Sequence, residues 1–229
     1  MTSLTLHYHP LSSYCHKVLI AIDLLAVEVD LRLLNLGDPA ERAAFLALWP
    51  TGKMPVLVDQ DRAIPESSII IEHLQCHHAR SGQVLIPQAP EAALDVRLWD
   101  RLFDLYVMTP MQAFTADLLK PKDERDARSV ARARADLATA YSLLDRHLEG
   151  RTWVSGDAFS LADCAAAPSL FYAVTCVPIP PQQGHLSAYF DRLMDHRSVK
   201  ATIDQAKPYF KFYPGRAGLA RRFFDPAGT

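Results

Sequence analysis

Thr51-Gly52-Lys53-Met54-Pro55-Val56-Leu57-Val58-Asp59 places a proline at the head of an apolar strand. A prolyl nitrogen has no hydrogen to give a sheet ladder, so a proline at strand entry marks backbone used for something other than pairing. Cis peptides are almost confined to X-Pro bonds. A cis Met54–Pro55 bond would turn the amide and carbonyl of Met54 outward, where they can hold another extended chain as a further strand. An ordinary trans proline closing a loop also fits this stretch, and the order of the surrounding elements has to arbitrate.

Upstream, Leu4, Leu6 and Tyr8 alternate with polar residues and predict a short strand ending at His9-Pro10. Ser12 and Ser13 then open an apolar-rich helix that runs to Leu25. Val27, Val29, Leu31 and Leu33 alternate again as a second strand, and a strand–helix–strand unit of this length favours parallel pairing with a right-handed crossover. Asp38-Pro39-Ala40-Glu41 supplies a cap, a first-turn proline and a glutamate three residues after the cap, which starts a second helix ending near Leu48. Met54 to Asp59 is the third strand, Gln60-Asp61-Arg62 a tight turn, and Ala63-Ile64 its short partner. Pro65-Glu66-Ser67-Ser68 begins a third helix running toward Arg80. The order βαβ, α, ββα is that of an α/β thioredoxin-like domain, assigned to residues 1–80.

Gly82, Pro87 and Pro90 make residues 81–90 a linker. Beyond it, over residues 91–229, every pattern is helical, and the expectation is an all-α C-terminal domain. Leu94, Leu98, Leu102 and Leu105 form one stripe, with a kink at Pro110 and a resumed helix to Leu119. Val130, Leu137, Tyr141, Leu144 and Leu148 form a second, closed by Gly150. Ser160 and Asp163 make a capping box, with Phe159 and Cys164 placed as its hydrophobic staple.

Bulk properties exclude several classes. With 24 Lys and Arg against 26 Asp and Glu, the net charge is -2, so there is no electrostatic footprint for nucleic acid or an anionic membrane. No basic, apolar leader opens the chain and no run reaches transmembrane length, which places the protein in the cytoplasm. The four cysteines, Cys15, Cys76, Cys164 and Cys176, are too sparse for a disulfide framework; Cys76 and Cys164 read as core thiols. His73 and His77 stand at i, i+4 on the third helix but lack a third ligand at sensible spacing, so no metal is expected.

Three motifs, Gly52-Lys53-Met54-Pro55 before a strand, Glu66-Ser67 opening the next helix, and Ser160-Leu161-Ala162-Asp163, are each weak alone and strong in this order. The chain resembles the cytosolic glutathione S-transferase superfamily, in a bacterial-type, serine-dependent form with a theta/zeta-like N-terminal motif. The likeness covers nearly the whole chain and thins after about Pro208. It implies that glutathione is the co-substrate and that the backbone of Met54, ahead of Pro55, pairs with its cysteinyl part. Glu66 would take the γ-glutamyl ammonium, Ser67 the γ-glutamyl carboxylate and Lys53 the glycyl carboxylate. That division suits a helix start, whose amides and dipole favour an anion while a side-chain carboxylate favours a cation. Helix capping by Glu66 and Ser67, and a solvated Lys53, are the plainer readings.

The thiol-activating residue of such proteins follows the first strand. Counting back from Lys17-Val18 gives Ser12, in a Ser-x-x-Cys pattern with Cys15. A neighbouring hydroxyl and a helix N-terminus both lower a thiol pKa from about 8.5. Ser13 is one residue away, either serine can be a mere N-cap, and Cys15 is a further alternative able to form a mixed disulfide with glutathione.

The resemblance also implies a co-substrate pocket for small, largely apolar electrophiles, lined by Tyr106, Met108, Met111 and Phe114; core packing is the competing role for these. It implies a homodimer as well, whose facing surfaces come from the third helix and from the first long helix with Arg97, Arg101 and Asp104. The aromatic run Pro208–Tyr213 with Arg221–Phe224 either packs on the helical domain or covers the pocket. The leading expectation is a glutathione transferase. An isomerase, dehalogenase or thiol-disulfide reductase on the same scaffold, or a non-catalytic glutathione-binding protein, are the other classes, because fold does not fix function.

Overall fold

The computed structural model describes residues 4–223, so Phe224 of the aromatic tail lies outside the described residues. The chain divides into two compact units, Met1–Leu85 and Ile86–Thr229.

The first unit is a four-stranded mixed sheet with three helices. In chain order it comprises β1 (Leu4–Tyr8), α1 (Ser13–Leu25), β2 (Asp30–Leu33), α2 (Pro39–Leu48), β3 (Val56–Asp59), β4 (Arg62–Ile64) and α3 (Ser67–His77). The strand order is β2-β1-β3-β4. β1 runs parallel to β2 and antiparallel to β3, with Leu6 between Leu31 and Leu57, and β3 pairs antiparallel to β4 with Leu57 opposite Ile64. Because side chains alternate along a strand, this register puts Leu4, Leu6, Leu57 and Ile64 on one face, all buried, with α1 and α3 packed against each other. Val56 faces the other way, into a cluster of Leu34 and Phe45 on which Leu48, Trp49, Met54 and Ala63 also pack.

Local sequence chemistry accounts for the helix starts. The Asp38 carboxylate accepts from the amides of Ala40 and Glu41, and Pro39 sits where a missing amide hydrogen costs nothing. Three expectations need correction. The second strand is only Asp30–Leu33, and its alternate leucines, Leu31 and Leu33, are each 44% exposed because it is an edge strand. The third helix stops at His77 rather than near Arg80, since the amides of Arg80 and Ser81 turn back to the Leu25 carbonyl at the end of α1. Cys76 is exposed, not a core thiol, whereas Cys164 is wholly buried.

The second unit is helical: α4 (Pro90–Leu102), a π-turn (Phe103–Met108), α5 (Thr109–Leu119), α6 (Ala127–His147), α7 (Leu161–Cys176), α8 (Gly184–Asp195) and α9 (Arg197–Ala206), with short 3-10 turns between and after them. The kink expected at Pro110 takes the form of the π-turn, in which the Thr109 amide reaches back five residues to the Asp104 carbonyl. The leucine stripe is reversed. Leu94, Leu98 and Leu105 are exposed, while Ala93, Val96, Trp99, Phe103 and Val107 are buried at the same helical spacing. Asp104, expected at a surface, is buried and bonded to Arg101.

α7 is buried over every residue from Leu161 to Ala173. Its capping box is formed: the Asp163 carboxylate accepts from the amide of Ser160 at 2.8 Å and its hydroxyl at 2.9 Å, from the Val154 amide at 3.1 Å and from the Tyr189 hydroxyl at 2.6 Å. Burial raises the Asp163 pKa from the ordinary carboxylate value, and these donors oppose that rise. The described part of the aromatic tail packs on α7. Phe210 and Phe223 lie against Phe171, and Tyr213 bonds the Thr175 hydroxyl at 2.8 Å. Gly218 passes so close that a Cβ there would stand 2.1 Å from the Thr175 carbonyl oxygen, which only glycine permits.

Candidate active site

Three chain segments meet at one end of the sheet. β1 delivers the turn that leads into α1; β3, antiparallel to β1, begins beside that turn; and β4, antiparallel to β3, hands the chain back to the same end for the start of α3. Ser12, Met54-Pro55 and Glu66-Ser67 therefore share this end of the first unit.

Ser12 is the N-cap of α1. Its Oγ accepts the Cys15 amide at 3.3 Å, and its own amide bonds the His9 carbonyl at 3.0 Å. Ser13 is buried as the first residue of the helix. Cys15 has no solvent exposure, and burial pushes its thiol up to about 12 against the weaker lowering effects of Ser12 and the His9 backbone, so it stays protonated at neutral pH. His16 is buried too. Its Nε2 donates to the Pro10 carbonyl at 2.6 Å, pinning the turn to the helix, and burial pulls its pKa down to about 4.

The Met54–Pro55 peptide is cis. Among the described residues nothing bonds the Met54 amide or carbonyl. Lys53 is exposed, with its amide 3.3 Å from the Thr51 hydroxyl. Glu66 is the N-cap residue of α3 but makes no side-chain cap bond; its carboxylate is exposed, and its carbonyl takes the first helical bond, from Ile70, at 2.8 Å. Its backbone has φ 67° and ψ 115°, a region non-glycine residues seldom occupy and one costing about 1–3 kcal/mol. Such strain clusters where a side chain is held for a ligand. Ser67, next in line, is buried at the helix start.

Two features of this end were not readable beforehand. The strained Glu66 backbone has no local sequence signal, since glycine or asparagine is what such a φ normally selects. Lys17 looks like a surface charge in sequence, yet it is completely buried and donates to Ser68 on α3 at 2.9 Å. In the second unit, Met108, Met111 and Phe114 are buried, whereas Tyr106 is 60% exposed.

A model of the glutathione S-transferase N-terminal domain matches residues 6–82, and one of the glutathione S-transferase C-terminal domain matches residues 105–196. The chain belongs to the glutathione S-transferase family. Similar proteins carry that family name and others. Glutathione S-transferase 3 of Zea mays is 26% identical over 213 residues, 89% of this chain and 94% of its own. A stringent starvation protein A homolog of Coxiella burnetii is 27% identical over 206 residues, 89% of this chain and 93% of its own. Among solved structures, a glutathione S-transferase from Methylobacillus flagellatus with glutathione bound is 29% identical, with a TM-score of 0.78, covering 87% of this chain and 98% of that one. The glutathione S-transferase architecture of a small mixed-sheet domain followed by a helical one is that of the present chain.

Proposed function

We propose that this chain binds glutathione at the end of the sheet where α1 and α3 begin, and transfers its thiolate to small, largely apolar electrophiles. The observation that carries the reading is the hydrogen bonding of Ser12. Its Oγ accepts the Cys15 amide, and with the Cys15 thiol kept protonated by burial the serine hydroxyl can turn its hydrogen to a ligand. A thiolate placed there gains that hydrogen bond and the positive end of α1, both of which favour the charged form.

The other groups suit the peptide. The cysteinyl backbone would pair with Met54, the γ-glutamyl carboxylate with Ser67 at the start of α3, and its ammonium with the exposed carboxylate of Glu66. Lys53, exposed beside Met54, would take the glycyl carboxylate. On this assignment the Glu66 backbone is strained because its side chain is held outward for the ligand. The co-substrate lining would draw on Tyr106, Met108, Met111 and Phe114.

A disulfide-exchange reaction at Cys15 is disfavoured by its burial and its high pKa. A glutathione-binding role without catalysis is the second reading, since this fold is also carried by a Coxiella burnetii relative that is not named as a transferase. We also infer a homodimer, because Leu94, Leu98 and Leu105 form an exposed apolar stripe along α4 and the π-turn.

The test is retention on immobilised glutathione, followed by ultraviolet titration of the bound thiol and a panel of electrophile classes. Binding with a thiolate band near neutral pH and turnover of at least one class is expected. Binding without that band would establish the non-catalytic reading, and no retention would end both.

A further inference from the structure

The opposite end of the same sheet carries a second constellation. β3 begins after Pro55 and ends at Asp59, while α3 begins at Ser67 and ends at His77, so both elements run from the candidate active site to this far end. There the Asp59 Oδ2 atom stands 2.8 Å from Nε2 of His73 and 2.8 Å from Nε2 of His78. The three atoms lie within 4.8 Å of one another. The side chains are 14–18% exposed, which is shallow enough for an ion to enter and deep enough to hold the rings.

The hydrogen bonding is lopsided. One carboxylate oxygen serves two imidazoles, while the other, Oδ1, is buried with no partner among the described residues. A carboxylate has about four acceptor positions, and a bare buried oxygen costs about 1–3 kcal/mol. A cation removes the imbalance, since both oxygens can then turn toward one charge.

We propose that Asp59, His73 and His78 bind a divalent transition metal of the zinc class, with water completing the coordination. Two imidazole nitrogens and a carboxylate suit such an ion better than the oxygen-only sets of calcium and magnesium or the thiolates of copper(I). Around a tetrahedral zinc with bonds of about 2.0–2.1 Å, neighbouring ligand atoms stand about 3.3 Å apart. The two Oδ2–Nε2 pairs, at 2.8 Å, need to part by about half an ångström, and the two imidazole nitrogens stand no more than 4.8 Å apart. Each imidazole would present its Nε2 lone pair and carry its hydrogen at Nδ1, the other neutral tautomer. The carbonyl end of α3 adds partial negative charge beside the ion.

The constellation differs from the His73–His77 pair that the sequence brings to notice. His77 is exposed and offers no atom to the cluster, although its ring centroid is 4.7 Å from that of His73. His78, one residue past the helix, replaces it, and the missing third ligand comes from the strand, fourteen residues before His73. A bound ion would clamp the β3–β4 hairpin to the end of α3 without touching the groups assigned to glutathione.

The test uses the full chain free of glutathione, which itself chelates zinc. Zinc titrated calorimetrically should bind one ion per chain in a tight step, and cobalt(II) should give the intense visible absorption of a four-coordinate site. Asp59→Asn, His73→Gln and His78→Gln should each weaken binding by about a hundredfold or more, because outer-shell changes alone cost about 10–100-fold. His77→Gln and Cys76→Ser should leave it unchanged, and glutathione retention should be unaltered in all five. Should Asp59→Asn or His73→Gln fail to fold by circular dichroism, His78→Gln decides, since it lies beyond the helix. Absence of the tight step in the native chain, its survival in the ligand variants, or its loss in His77→Gln or Cys76→Ser would each overturn the proposal.

Discussion

The Lys17 ammonium donates to the Ser68 hydroxyl at 2.9 Å, and its side chain has no exposure to solvent. The bond joins α1 to the first turn of α3, the two helices whose starts frame the candidate active site. A cation fixed there adds to the positive end of α3, so both pull on the same anion. Lys17→Met keeps the stem and removes the charge. We expect glutathione affinity to fall about tenfold, equivalent to about 1.4 kcal/mol, with the fold retained. Lys17→Ala should instead lower stability by about 2–4 kcal/mol, because it also opens a cavity. Calorimetric affinity for the methionine variant equal to that of the native chain would show that the charge is not felt.

Ser12→Ala should separate two effects of one hydroxyl. Loss of the cap bond to Cys15 should cost about 1 kcal/mol of stability. Loss of a hydrogen bond to a charged thiolate, worth about 1.5–3 kcal/mol, should lower the conjugation rate about tenfold to a hundredfold while glutathione affinity holds. Ser13→Ala should keep the thiolate absorbance. The reverse pattern would move the activating role to Ser13.

The left-handed backbone of Glu66 makes glycine and alanine informative in opposite ways. Glu66→Gly relieves the φ strain and Glu66→Ala retains it, so the glycine variant should melt at the higher temperature although glycine is the more flexible unfolded. Both should weaken glutathione binding, by about 1 kcal/mol or less because the carboxylate is exposed. A more stable alanine variant would contradict the strain argument, and unchanged affinity in both would remove Glu66 from the binding set.

His16 should impose an acid limit on stability. Its folded pKa, pulled by burial to about 4, lies below the ordinary value of 6.5. Between those values the unfolded chain takes up a proton that the folded chain refuses, so stability rises with pH across the window. The contribution is complete above 6.5 and lost as pH falls toward 4, an amount of the order of 3 kcal/mol. Denaturant midpoints for the native chain and His16→Gln should converge at acid pH. A constant gap between them would mean that His16 is not the group responsible.

Leu98→Glu should yield a monomer in sedimentation equilibrium, because it plants a charge in the exposed stripe of α4. Leu119→Glu, at a residue 70% exposed on α5, serves as the control and should sediment as the native chain does. A native chain that is already monomeric at micromolar concentration would end the dimer proposal.

What could be read in advance was what neighbouring residues decide among themselves. Ser12, Asp38 and Ser160 each start a helix at the expected residue, because a cap and the amides it satisfies lie within three positions. Periodicity was less informative where a helix is patterned on two sides. In α4 the leucines and the Ala93–Val96–Trp99–Phe103 series have the same spacing, and only contact with the rest of the unit selects the second. The His73–His78–Asp59 grouping spans a hairpin and a helix, so no helical interval announces it. Lys17 and Asp104 look like solvated charges until their neighbours surround them. At the candidate site, the positions of Ser12 and Glu66-Ser67 at helix starts were legible; the strained Glu66 backbone was a property of the assembled unit.

α7 leaves a mark on what this chain can become. Ala162, Ala165, Ala166, Ala167 and Ala173 form a slender rod, with α4, the π-turn, α5, α8 and the Arg216–Gly218 turn all laid against it. At interior density there is no slack to absorb an added methyl group, and a wider residue on the rod must displace neighbours on several sides at once. Innovation in the helical unit is thereby steered outward, to the open face of α6, where new specificities can be tried without turning the spindle on which the rest is wound.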